Sequence, residues 1–262
     1  FKKTQPMWNL FVKKSISILE KDGYLVMVHP SGWRNVDGVF KDVQNLLKER
    51  QILELHIQNE KEGLKLFGAD TRFDFYILKN CHNFVETIIK DQNNNFDKIN
   101  ISKMDFIPNG AFKEIFELVA INNEEKVNII YSRSAYGTDK LNTNKEKKEN
   151  FQYPIIYTVP KGDKLNLMYS SCNNKGHFGQ SKLIWSNGRI ISVGSIIDIN
   201  GEYGLTQFSY AIVDEPNNLS NIKIAFDSKK FRNLMELSAV GDMSINRKVI
   251  ATFKKDFWKK FI

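Results

Sequence analysis

Gly23-Tyr24-Leu25-Val26-Met27-Val28-His29-Pro30-Ser31-Gly32-Trp33 is the stretch on which the fold turns. From Tyr24 to Val28 the chain is continuously apolar, which predicts a strand buried on both faces of a sheet. Upstream, Met7, Trp8, Leu10, Phe11, Val12, Ile16, Ile18 and Leu19 fall close to helical spacing, with Pro6 in the first turn. Lys21-Asp22-Gly23 ends that helix with a glycine where a left-handed cap is usual. Downstream the pattern predicts a helix over 39–50, with Val43, Leu46 and Leu47 on one face. A strand over 52–58, a loop through Glu60 and Gly63, and a strand over 73–79 follow. Helix, strand, loop, helix, strand, strand is the second half of an α/β sheet with crossover helices. The first half is not in this sequence, and the chain, which begins without Met, is expected to be a fragment.

After about residue 80 the composition changes. Asp91 to Asn95 is a polar turn, and Ile107-Pro108-Asn109 leads into a short helix over 111–119. Residues 140–150 are charged and aperiodic, as in a solvated loop. Short β-like segments then recur at 155–159, 165–169, 182–185, 190–193 and 210–213, before helices at 218–227 and 229–237. Gly201 to Gly204 reads as a turn, and the tail over 254–260 as an amphipathic end packing Phe257 and Trp258. The fold class read from this order is α/β, the C-terminal half of a Rossmann-like sheet over 1–115. An α+β domain over 116–262 follows it.

A net charge of +8 over 262 residues favours a polyanionic partner, because Lys and Arg release condensed counterions when they neutralise phosphates. At 42% hydrophobic and 12% aromatic the chain can build a core and is not a disordered tail. Cys81 and Cys172 are far apart, which argues against a disulfide framework and suits a reducing cytoplasm. His29, His56, His82 and His177 show no metal-ligand spacing, so no metal is expected. No apolar run approaches the roughly 20 residues needed to span a bilayer, so no membrane partner is expected.

Three segments in one order resemble a known family. Met7-Trp8-Asn9-Leu10-Phe11-Val12, Leu19-Glu20-Lys21-Asp22-Gly23-Tyr24 and Val28-His29-Pro30-Ser31-Gly32-Trp33 are similar to the stretch after the Asn-Pro-Pro-Tyr motif of gamma-type adenine-N6 DNA methyltransferases of restriction–modification systems, including the Eco57I-like and TaqI-like enzymes. The aromatic loop and strand of that family correspond to Leu66-Phe67-Gly68-Ala69-Asp70-Thr71-Arg72-Phe73-Asp74-Phe75. The resemblance covers about the first 80 residues; His177-Phe178-Gly179-Gln180-Ser181-Lys182-Leu183-Ile184-Trp185 also looks like a recognition-domain segment of this group. It implies a Rossmann-like catalytic domain followed by a target-recognition domain, S-adenosyl-L-methionine as the methyl donor of the complete enzyme, and double-stranded DNA as substrate. The chain departs from the family in lacking any Pro-Pro pair and any Phe-x-Gly-x-Gly turn. No catalytic residue is therefore expected in this chain, which alone should not methylate DNA. Its partner would be the missing N-terminal catalytic half, in cis or as a separate chain.

The resemblance implies that Phe67 packs on a target adenine rotated out of the duplex, where an aromatic face recovers part of the lost stacking; the alternative is that it packs its loop onto the sheet. Pro30 and Trp33 follow the buried strand, at the end where open α/β sheets place ligands, and complete the expected target-base pocket. Packing is the competing role for Trp33. Ser31 and Arg34 are candidates for a phosphate there, and Arg72 for the DNA backbone unless it pairs with Asp70 or Asp74. Phe73 and Phe75 share a strand face and read as core.

In the second domain the loop Asn173-Asn174-Lys175-Gly176-His177-Phe178-Gly179 is read as flexible and rich in donors, with Asn174, Lys175 and His177 as DNA contacts. Lys182 and Arg189 flank an Asn187-Gly188 turn and join them, unless the segment is an ordinary surface loop. Tyr131-Ser132-Arg133-Ser134-Ala135-Tyr136 is a weaker candidate. Two other accounts stay open: a non-catalytic DNA-specificity subunit that docks on a separate catalytic chain, and an α/β enzyme that does not act on DNA.

Overall fold

The computed structural model describes residues 6–132, 142–162, 165–241 and 244–262. The chain separates into two compact units, Phe1–Lys113 with Leu237–Gly241, and Glu114–Glu236 with Asp242–Ile262. The result is a mixed α/β protein whose sheets combine parallel and antiparallel pairs or are wholly antiparallel.

The first unit opens with α1 (Trp8–Ile18), β1 (Tyr24–Pro30), a 3-10 turn (Ser31–Arg34), α2 (Lys41–Lys48) and β2 (Arg50–Gln58). Then come α3 (Glu60–Phe67), β3 (Phe73–His82), β4 (Thr87–Lys90) and β5 (Phe96–Ile99). Its sheet has the order β1-β3-β2-β4-β5. The strand β3 is antiparallel to both β1 and β2, so these two run the same way with β3 between them.

The expectation that β1 is buried on both faces fails. Tyr24, Val26 and Val28 are exposed, whereas His29, on the other face, stacks against Trp8 of α1. Cross-strand register places Tyr24, Val26 and Val28 opposite Lys79, Ile77 and Phe75 of β3, so these residues share one sheet face. That face carries exposed apolar surface, and β1, at the end of the strand order, has a free outer edge among the described residues. Phe73 is buried while Phe75 is half-buried, because the covering differs along this face.

One further element departs from expectation, and a second, the polar turn at 91–95, forms as expected. The loop after β2 is the helix α3, started by the Asn59 side chain, which accepts from the Glu62 N–H, and stopped at Gly68 with φ 66°. Gly63 within it passes under the next loop: a Cβ there would lie 2.0 Å from the Thr71 carbonyl. The polar stretch at 91–95 is the turn between β4 and β5, organised by the Asp91 carboxylate, which accepts from the N–H groups of Asn93 and Asn95 at 2.8 Å.

Near the boundary α4 (Phe112–Phe116) is one short helix. The second unit has β6 (Ile129–Tyr131), β7 (Thr143–Asn144), β8 (Tyr153–Thr158), β9 (Asn166–Ser170), β10 (Lys182–Ser186), β11 (Ser195–Asp198), β12 (Gly204–Leu205) and β13 (Ser209–Val213). They form two sheets of four, ordered β11-β10-β13-β6 and β12-β8-β9-β7. Ile156 and Leu205 from one sheet meet Ile184 and Ala211 from the other in a buried cluster, which joins the two as layers. Helices α5 (Pro216–Asp227), α6 (Lys229–Ser238) and α7 (Arg247–Ile250) follow, with a 3-10 turn (Phe257–Lys260). Trp185, Phe226, Phe231 and Phe257 run as a chain of ring contacts through this part, and Phe257 and Trp258 are buried.

Residues 190–193, read as a strand, form a tight turn instead. The Arg189 carbonyl accepts from Ser192 N–H, Val193 N–H and the Ser192 hydroxyl, leaving no extended ladder there. No helix among the described residues is long and apolar enough to cross a membrane.

Candidate nucleic-acid interface

In the first unit the C-terminal end of β1 is a closed polar knot, not an open pocket. Arg34 has no exposure: Nε donates to Asp74 at 2.9 Å, Nη1 to the carbonyls of Ile107 (2.8 Å) and Pro108 (3.1 Å), and Nη2 to Asn109 Oδ1 at 2.9 Å. The Trp33 indole N–H donates to the same Asp74 carboxylate at 2.7 Å. Burial pulls the Arg34 pKa down, and Asp74 opposes that shift. These contacts correct two expectations. Arg34 has no free face for a phosphate, and Trp33, 1% exposed, is a packed wall with its donor already used.

His29 closes the knot on the α1 side. Its ring lies 4.6 Å from that of Trp8 at an interplanar angle of 11°. Nδ1 is 2.9 Å from the Pro30 carbonyl, which can only accept, so Nδ1 carries the proton and Nε2 accepts from the Tyr76 hydroxyl at 3.3 Å. Burial lowers the His29 pKa and, with Asp74 nearby, raises that of Tyr76. Both groups are neutral near pH 7. Pro30 itself is half-buried, and Ser31 is buried.

Arg72 is corrected in the same way. It is 6% exposed, with Nε 2.7 Å from Glu60 and Nη1 donating to Gln92, and it pairs with neither Asp70 nor Asp74. Phe67 is different. As the last residue of α3 it is 56% exposed, its ring held edge-on by Phe73 at 4.9 Å while the rest meets solvent. Leu64 and Leu66 beside it are also exposed.

In the second unit the loop after β9 is tied at two points, against the expectation of flexibility. The Gly176 carbonyl accepts from Leu205 N–H at 2.7 Å, and Gly179 N–H donates to Gly201 at 2.9 Å. Gly201 has φ 70°, and a Cβ there would meet the Gly179 and Gln180 backbone at 2.4–2.6 Å, so this seam needs glycine. His177 adopts φ 64°, unusual for a side-chain-bearing residue, and its Nε2 donates to the Tyr131 carbonyl at 3.3 Å. Between the ties Asn174 and Lys175 are held outward and exposed.

Lys182 is corrected likewise. Its ammonium is fully buried, 2.8 Å from Asp198 and 3.1 Å from the Gln180 carbonyl. Asp198 also accepts from the N–H groups of Glu202 and Tyr203, so the pair orders the turn at 199–203. Arg189 is exposed, and Ser132 is buried; Arg133 to Tyr136 lie outside the described residues. Arg189 also borders a cavity of about 480 Å³ with Lys161, Ile191 and Lys229, none of the last three legible as a site from local sequence.

No protein family matches the chain, and no curated protein does. Among solved structures it is similar to one from a study of the assembly and conformational transition of the type I R-M system, at 17% identity and a TM-score of 0.28. That likeness covers 34% of this chain and 19% of the other. It is also similar to the type IIG restriction endonuclease BpuSI, at 8% identity and a TM-score of 0.35, over 97% of this chain and 43% of that one. The chain therefore spans less than half the length of either.

Proposed function

We propose that this chain is part of a site-specific adenine-N6 DNA methyltransferase of a restriction–modification system, contributing target-base support from its first unit and DNA recognition from its second. The observation that carries this reading is the state of β1. A seven-residue strand stands at the end of its sheet, and among the described residues its outer edge is unpaired and Tyr24, Val26 and Val28 are uncovered on one face. A long apolar edge is ordinarily blunted or covered, because it recruits other strands. The reading supplies the cover: the catalytic half, in cis or as a separate chain, pairs along β1 and packs on this face. Phe67 then stands ready to face an extruded adenine.

S-adenosyl-L-methionine would supply the methyl group in the complete enzyme. The first unit has no glycine-rich strand-to-helix turn, and none of its residues is assigned to hold the donor. This chain's own contribution is positional. Phe67 supports the flipped base, and the exposed Asn174, Lys175 and Arg189, with the half-buried His177, approach the duplex.

The test is reconstitution. The chain joined to a polypeptide carrying the glycine-rich turn and an Asn-Pro-Pro-Tyr-like motif should methylate adenine in duplex DNA, and the chain alone should not. A chain that binds its site in DNA and directs methylation by a separate catalytic chain that is already active without it would favour the specificity-subunit reading.

A further inference from the structure

The turn at 189–193 is locked in place. Arg232 Nη1 donates to the carbonyls of Ile190 at 2.7 Å and Val193 at 3.0 Å, Lys161 N–H donates to the Ser192 carbonyl, and Gly194 N–H donates to the Val159 carbonyl. Ile191, at the tip of this fixed turn, is 79% exposed. An isoleucine presented to water by a turn with so many anchors is not accounted for by packing. Across the cleft α6 turns Lys229, Arg232, Asn233 and Glu236 to the same side, at the i, i+3, i+4, i+7 spacing of one helix face.

The charges around the cleft are unbalanced. Asp227 is held by Lys223 at 2.8 Å and by Arg232 at 3.8 Å, so its carboxylate is already neutralised. Among the described residues no carboxylate pairs with Lys161, Arg189 or Lys229, all of them exposed, and Glu236 is the single acid left to oppose them. Three cations on one rim repel each other unless an anion sits between them. The lining contains no aromatic ring on which a free nucleotide's base could stack, but it offers cations, an amide and an apolar surface side by side.

We infer that this cleft seats the phosphodiester backbone of duplex DNA. Lys161, Arg189 and Lys229 pair with phosphate oxygens, Asn233 donates an amide hydrogen bond, and Ile191 packs on the adjoining deoxyribose. The inference rests on the DNA reading above and extends it beyond Arg189 to Lys161, Ile191, Lys229 and Asn233. Contacts of this kind fix register on the duplex and carry affinity without reading bases.

The test is fluorescence anisotropy of the chain on a short labelled duplex of arbitrary sequence across a salt series. Lys161→Ala, Arg189→Ala and Lys229→Ala should each lower the slope of log K against log salt by about 1, and the triple variant by about 3. Ile191→Ala should weaken binding roughly fivefold with the slope unchanged, as expected for an apolar contact. Lys255→Ala, whose ammonium pairs with Glu125 elsewhere on this unit, should leave both quantities alone. A triple variant that keeps the parent slope overturns the cleft and removes Arg189 as a contact, while the DNA reading stands on Asn174 and Lys175. Failure of the unaltered chain to bind duplex overturns both. Saturable ATP binding lost in the triple variant, with the duplex slope unchanged, would reassign the cleft to a free nucleotide.

Discussion

The guanidinium of Arg34 lies 2.9 Å from the carboxylate of Asp74, and neither side chain has any exposure. A buried pair of this kind contributes little compared with an apolar replacement, but removing one partner leaves a charge stranded. Asp74 also holds the Trp33 indole, so it joins the turn after β1 to the neighbouring strand β3.

Asp74→Ala should therefore destabilise the first unit by about 3–5 kcal/mol, read as a lower urea midpoint. A loss below about 1 kcal/mol would show that water or a rearranged side chain satisfies Arg34.

The state of His29 sets a pH dependence. Its folded pKa lies below the ordinary 6.5, so in the acid range the unfolded chain binds a proton that the folded chain does not. Stability should rise with pH up to about 6.5 and then level as far as this residue is concerned, falling away progressively below it. In His29→Phe, which keeps a ring against Trp8, that acid-side slope should flatten. An unchanged slope would assign the proton uptake to another group.

Lys182→Ala separates structure from binding. Loss of the ammonium strands Asp198 and should cost about 3–5 kcal/mol. At a temperature where the variant stays folded, its salt slope for DNA should match the parent. A slope lower by about 1 would show that Lys182 does reach a phosphate.

Where a residue's role depends on its neighbours in sequence, the chain is readable. The helical spacing after Pro6 and the apolar run after Gly23 place α1 and β1. The helix α1 nevertheless stops at Ile18 with an extended Leu19, and the left-handed residue of the connection is Asp22 (φ 62°), not Gly23. Phe257 and Trp258 are buried as their amphipathic tail implies. The helix α3 reads instead as a loop, because of its glycine and charges, although Asn59 and Gly68 stand where a helix starts and stops. What local reading misses is the distant partner. Arg34 and Lys182 look like surface cations until Asp74, 40 residues away, and Asp198, 16 away, are brought against them. The cleft was illegible for the same reason: Lys161, Arg189 and Lys229 come from three separate segments. The free face of β1 has the opposite cause, since an apolar strand reads as buried whether or not its cover is present.

Phe67 tests the target-base assignment in the complete enzyme. Phe67→Ala should slow methyl transfer by roughly tenfold or more while changing overall DNA affinity far less, because stacking on an extruded base is worth about 1–3 kcal/mol and is made only after extrusion. Equal losses in rate and affinity would return Phe67 to packing against Phe73.

The central claim is tested most directly by following labelled methyl transfer from S-adenosyl-L-methionine to duplex DNA by the complete protein and by this chain alone. Label is expected on adenine N6 with the complete protein and none with the chain alone. A complete protein that binds DNA yet places no methyl group on adenine would contradict it.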